Sequence, residues 1–187
     1  MMRGEDYTQH DHADIWLTDN YLRMGLENIL QKIKFDNTGL RYVFLTEHHY
    51  TDVLKHNYDL TKNRIVLLTE GTSFNFLNTA PFYQLPKRVT VHELQNFVIS
   101  ISYLADKPLE SKKPVLLTAR ERRLIDLIKE GKKMAEMGEY LNLHIKTVYQ
   151  TRQTLIKKIG CSGAIDLLRT LRSDIFKNWL MESHQYH

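Results

Sequence analysis

The spacing of apolar positions changes character near residue 110. Before that point the chain alternates short apolar runs with amphipathic stretches. Runs at 14–17, 42–45, 65–68 and 82–85 predict strands, the IVLL at 65–68 being the clearest buried one. Between them, residues 21–33 set Leu22, Leu26, Ile29, Leu30 and Ile33 at helical spacing. Residues 90–104 do the same with Leu94, Phe97, Val98, Ile101 and Leu104, and 50–56 form a weaker helical pattern. Strand and helix in alternation predict an α/β N-terminal domain, a small parallel sheet with helices packed on it.

After residue 114 every pattern is helical. Thr118 followed by Glu121 is a capping box, in which hydroxyl and carboxylate each satisfy a free backbone N–H. Leu124, Ile125, Leu127 and Ile128 then give a buried face, and Gly131 is placed to end the helix. A short helix over 134–141, a turn at 142–144 and a longer helix over 145–159 follow, the last with Val148, Leu155 and Ile159 inward and Gly160 closing it. Ser162 is the expected cap of a fourth helix running to 171, and Ile175, Phe176, Trp179 and Leu180 predict a further amphipathic turn or two. The second half therefore reads as an all-α, four-helix domain. Residues 106–114 (DKPLESKKP) hold two prolines and three lysines and read as a linker. The predicted layout is a domain over 1–105, the linker, and a domain over 115–187.

Charge sharpens this division. The net +4 is unevenly spread: residues 1–111 carry 11 Lys/Arg against 14 Asp/Glu, and residues 112–187 carry 15 against 8. A basic half beside a mildly acidic one points to a polyanion as partner of the second half alone; a solvated basic surface is the plainer alternative. The single cysteine, Cys161, cannot pair within the chain, which fits a reducing cytosol, and it is expected in the core. The polar start MMRGEDYTQHDHADIW has no apolar stretch of a secretory signal, and no apolar run reaches membrane-spanning length, so a cytoplasmic protein without membrane contact is expected.

The most informative chemistry lies on the 145–159 helix. Lys146, Gln150, Gln153 and Lys157 recur at steps of four, three and four and share one face, with Tyr149 beside them. A helix with one apolar and one polar, basic face suits the major groove of double-stranded DNA. The matches Leu117-Thr118, Arg120-Glu121-Arg122, Gly131, Glu136, Leu141, Lys146-Thr147-Val148 and Lys158-Ile159-Gly160 make this segment similar to the LuxR/GerE-type (NarL/FixJ class) helix-turn-helix domain. The resemblance implies base contacts from Tyr149, Gln150 and Gln153, glutamine being able to bond adenine through N6 and N7. It implies phosphate contacts from Lys146, Thr147, Arg152, Lys157 and Lys158, which set register without reading sequence. Departures from the family pattern are His144 at the recognition helix's N-cap, Thr151 in place of a histidine, Lys133-Met134, and Met137-Gly138, where glycine weakens a helix.

Fragments of the first half resemble a receiver domain. Residues 19–30 are similar to its acidic turn and first helix, 65–69 to its fourth strand with a switch threonine, and 85–94 to its fifth strand with its lysine. Carried over, the remnants are Asp19, Thr46, Thr69 and Lys87. Phosphoryl acceptance needs carboxylates holding Mg²⁺ beside an acceptor aspartate. Here Thr46 stands at the acceptor position with Glu47 after it, Asp19 is nearly alone, and the stretch between Ile33 and Tyr42 is too short for a full βα unit. A shortened, degenerate receiver-like domain that takes no phosphoryl group is expected, with an unrelated small α/β domain as the alternative. His10-Asp-His12 and His48-His49 lack further ligands, so no metal or other cofactor is expected, and no catalytic arrangement is legible.

The resulting expectation is a phosphorylation-independent, non-enzymatic, sequence-specific DNA-binding transcriptional regulator acting as a dimer. The face of the last family helix, 165–171, is either its dimer surface or ordinary core. Two alternatives stay open: an auxiliary regulator that binds DNA only as a heterodimer with another LuxR-type protein, and an interaction module that sequesters a regulator without touching DNA.

Overall fold

The computed structural model describes residues 7–35, 39–72, 74–77, 82–103 and 115–182. The predicted linker at 106–114 lies outside them, as do Leu104 and Ser73. The chain divides into two compact units: Met1–Gly71 with Ala80–Glu110, and Thr72–Thr79 with Ser111–His187. The second unit is therefore built from two separate stretches of sequence.

The first unit is a five-stranded sheet in the order β1-β2-β3-β4-β5. Its strands are β1 (Tyr7–Gln9), β2 (Ala13–Trp16), β3 (Arg41–Thr46), β4 (Asn63–Thr69) and β5 (Phe82–Pro86). All neighbouring pairs from β2 to β5 are parallel, in a register that aligns Ile15, Phe44, Val66 and Tyr83. The edge strand β1, which the apolar pattern does not announce, pairs antiparallel with β2. Among the described residues, three α-helices accompany the sheet: α1 (Asn20–Lys32), α2 (Tyr50–His56) and α3 (Val91–Tyr103). Strand side chains alternate between faces, and the two sets are covered differently. Ile15, Leu17, Tyr42, Phe44, Val66, Leu68 and Leu85 form one buried cluster with Leu26 and Leu30 of α1 and Leu94, Val98 and Ile101 of α3. Trp16 points to the other face, where its ring meets His56 of α2 edge-on at 5.9 Å.

This arrangement has a topological consequence. The connections β2–α1–β3 and β3–α2–β4 advance in the same direction across the sheet, yet their helices lie on opposite faces. The two crossovers must then have opposite hands, whereas about 98 % of such connections are right-handed.

The β1–β2 hairpin is fastened by Arg41 at the start of β3. Its guanidinium donates to the carbonyls of Asp11 (2.9 Å) and His10 (3.1 Å) and pairs with Asp14 Oδ1 at 2.8 Å. Tyr58 donates to the other Asp14 oxygen at 2.9 Å and accepts from Trp16 Nε1 at 3.0 Å. Asp14 is buried and thus fully partnered. Burial, with the Asp14 carboxylate beside it, pushes the Tyr58 hydroxyl pKa above its ordinary value.

The described part of the second unit is helical apart from its turns: α4 (Ala119–Lys129), α5 (Met134–Leu141), α6 (Ile145–Ile159), α7 (Ala164–Arg172) and α8 (Asp174–Glu182). Five helices stand where four and a further turn or two are predicted. The Thr118 capping box is formed, with Thr118 N donating to Glu121 Oε2 at 2.7 Å and Glu121 N to Thr118 Oγ1 at 3.2 Å. Ser162 is not the cap of α7. Gly163 holds that position, and Ser162 instead donates through its N–H (2.8 Å) and hydroxyl (3.1 Å) to Asp166 Oδ2. Leu124, Leu127, Met137 and Val148 form the core between α4, α5 and α6. Among the described residues, no helix is long and apolar enough to cross a membrane.

Candidate functional site

The site on the second unit is built by α5, the turn after it, and α6. Asn142 ends α5 in the left-handed conformation (φ 52°), a bend that asparagine tolerates better than most residues. Leu143 N then returns to Gly138 O at 2.8 Å. A Cβ on Gly138 would lie 2.9 Å from Leu143 O, so the glycine lets the turn close onto α5. His144 does cap α6, its Nδ1 accepting from Lys146 N, though at a long 3.3 Å.

Val148, Leu155 and Ile159 seat α6 on the bundle with no exposed surface. On the opposite side, Lys146, Gln150, Gln153 and Lys157 are all exposed. At 100° per residue they fall within about 60° of arc, a straight stripe of two cations and two amides. Tyr149, 45 % exposed, borders it. Its ring lies under the Arg152 guanidinium, 5.3 Å from centroid to Cζ, a cation–π pair that sequence spacing alone does not reveal. Arg152 Nε is buried with no hydrogen-bond partner among the described residues. Thr147 is half-buried and supplies its carbonyl to Thr151 Oγ1 at 2.9 Å.

Lys158, expected as a phosphate contact, is engaged within the unit. Its ammonium bonds Glu121 Oε2 at 2.8 Å and Leu116 O at 3.1 Å, which ties the end of α6 to the start of α4. Of the two adjacent lysines, helical geometry sends only Lys157 to the stripe. Burial alone would raise the Glu121 pKa. The bonds from Lys158 and from the Thr118 N–H and hydroxyl, with the lysine's charge, outweigh burial and hold it below the ordinary value.

On the first unit, Asp19, Thr46, Thr69 and Lys87 converge at the C-terminal ends of the parallel strands, where open α/β sheets offer their crevice. Asp19 and Lys87 already have partners within the unit. Asp19 caps α1, accepting from Tyr21 N (3.0 Å) and Leu22 N (3.2 Å). Lys87 pairs with Glu70 at 3.1 Å, and its N–H donates to Thr69 O at 2.8 Å. Thr46 is buried, its hydroxyl without a hydrogen-bond partner among the described residues. Glu47, next to it, has its pKa raised by burial and by the Glu70 charge. No group of three or more His, Cys, Asp or Glu among the described residues is arranged to hold a metal ion. His10 lies 3.1 Å from Glu27, and His49 is buried 3.6 Å from Asp52. Cys161 is half-buried, 3.6 Å from Thr170 Oγ1, with burial raising its thiol pKa.

No protein-family model matches the chain, and no curated protein matches it. Among solved structures it is similar to the two-component response regulator RcsB in a complex with DNA, at 18 % identity over 78 % of this chain and 79 % of that one, with a TM-score of 0.46. It is similar to the Salmonella typhimurium RcsB response regulator at 18 % identity over 79 % and 80 % (TM-score 0.34). It is also similar to full-length FixJ from B. japonicum at 13 % identity over 78 % of each chain, with a TM-score of 0.28.

Proposed function

We propose that the chain is a DNA-binding regulator that places α6 in the major groove and requires no catalysis and no phosphoryl transfer. The exposed stripe Lys146–Gln150–Gln153–Lys157 on a helix anchored by Val148, Leu155 and Ile159 carries this reading. Gln150 and Gln153 read base edges, and Tyr149 contributes at the margin of the stripe. Lys146 and Lys157 meet phosphates, with Thr147 at the start of α6 as a further contact and Arg152 presented by the Tyr149 ring. The first unit takes no phosphoryl group in this reading: a threonine ends β3, Asp19 caps α1 through Oδ1, and Lys87 is paired with Glu70. It serves instead to pair the regulator with another chain.

Binding of the full chain to its own upstream DNA and to random duplex across a salt series tests the reading. Site-selective binding with a steep salt dependence is expected. Gln150→Ala should erode the preference for the selected site. Lys157→Ala should weaken all sequences alike and lower the salt slope by about 1. Equal losses on selected and random duplex for Gln150→Ala would remove its base-reading role.

The withdrawal of Lys158 into the Glu121 pair favours a second reading. With one expected phosphate contact engaged inside the unit, the chain in this reading binds DNA only as a heterodimer with a related regulator. Absence of a shift by the chain alone, with a footprint restored by such a partner, would decide for it.

A further inference from the structure

The crossover from β4 to β5 carries an aromatic segment that belongs to the helical unit rather than to the sheet. Connecting segments ordinarily run over the surface, yet Phe74, Phe76 and Leu77 are each 2 % exposed or less. The Phe76 ring meets Phe176 edge-on at 5.4 Å and Trp179 at 5.0 Å, with Phe74 edge-on at 5.9 Å. Between them, Asn75 Nδ2 donates to Gly160 O at 2.8 Å. Gly160 is the C-cap of α6, in the left-handed conformation at φ 82°. A Cβ there would lie 2.5 Å from Asn75 Cβ, so glycine is demanded both by the backbone and by the approach of the arm. Lys157 of the DNA-facing stripe sits one helical turn before this cap.

We propose that this crossover arm positions the DNA-reading helix: Asn75 holds the C-cap of α6 while Phe76 locks the arm onto α8, so both residues govern DNA affinity without touching DNA. The role rests on the DNA reading given above. A helix end has carbonyls with no partner within the helix and frays unless they are satisfied. Asn75 bonds the carbonyl of the cap residue, and the aromatic cluster holds Asn75 in place. Loosening either lets the last turn of α6, with Lys157 on it, lose its fixed place.

The full chain labelled with fluorotryptophan, and a fluorescein-labelled random duplex of about 30 base pairs at low salt, provide the test. Phe76→Ala should move the Trp179 fluorine resonance and leave that of Trp16 in place. It should weaken duplex binding about ten-fold at a temperature where the helical circular dichroism is unchanged. Asn75→Ala, which removes the hydrogen bond to Gly160 O and leaves the rings packed, should weaken binding about three-fold. Phe76→Leu, which keeps the apolar fill, should bind nearly as the wild type. Should Phe76→Ala unfold the helices, Asn75→Ala decides. Wild-type affinity in the folded variants, with the Trp179 resonance moved, would overturn the positioning role and leave the DNA reading intact. An unmoved Trp179 resonance in Phe76→Ala would overturn it at the level of packing. A wild-type chain that binds no duplex would overturn the DNA reading and the positioning role together, a result seen before any variant is compared.

Discussion

Glu121 performs two tasks with one carboxylate. It closes the capping box of α4 and receives the Lys158 ammonium, while only 4 % exposed. Its pKa is held below the ordinary carboxylate value, so its contribution to stability is fully present above that value and is lost as pH falls through the folded one. Glu121→Gln should therefore lower the melting temperature at neutral pH, and by less in acid once the pH has fallen through the folded value. An equal deficit at both pH values, followed by helical circular dichroism, would disprove the linkage. The capping box was legible in the sequence because both partners sit three residues apart. The Lys158 contact was not, because its partner lies 37 residues away. Tyr149 and Arg152 illustrate the same limit at short range: each residue could be placed on α6, but the stacking of one on the other depends on rotamers that spacing does not specify.

At the level of elements, α6 was readable to its ends, since apolar positions, the turn before it and Gly160 after it all agree. Gly138 was legible only as a defect. In the structure it is the contact that brings α5 and the turn together, and helix propensity says nothing of such an approach. Gly138→Ala gains intrinsic helix propensity yet should destabilise the helical unit by about 1–3 kcal/mol, because Leu143 O must move. Thermal denaturation measures this, and an unchanged or raised midpoint would show that the turn accommodates a methyl group. Strand β1 escaped notice for a different reason. It is three residues long, at most half-buried, and exists only through its pairing with β2.

At the level of the whole molecule, the opposite hands of the first two crossovers set this sheet apart from the usual doubly wound order. In the doubly wound order 2-1-3-4-5, the first crossover runs outward to an edge strand and the second returns across the first strand, so two right-handed connections use opposite faces. The stretch between Ile33 and Tyr42 reads as too short for a full βα unit, but the hand of the connection it makes could not be read from it. The outer edge of β2 is covered by β1, and Arg41 with Asp14 fastens it. Arg41→Ala should cost about 2 kcal/mol or more, since it leaves the buried Asp14 without its cation. It should also raise amide exchange in β1 and β2 ahead of β4, and uniform protection across the sheet would contradict the fastening role. The arm at 72–77 has its own consequence, in time rather than in space. Helices α4 to α8 make mostly local contacts and can assemble quickly. Asn75 and Gly160 are 85 residues apart, so docking the arm requires closure of a long loop and should follow the bundle. During synthesis Phe74 and Phe76 leave the ribosome well before Phe176 and Trp179 exist, and until then their rings face water or whatever else will cover them.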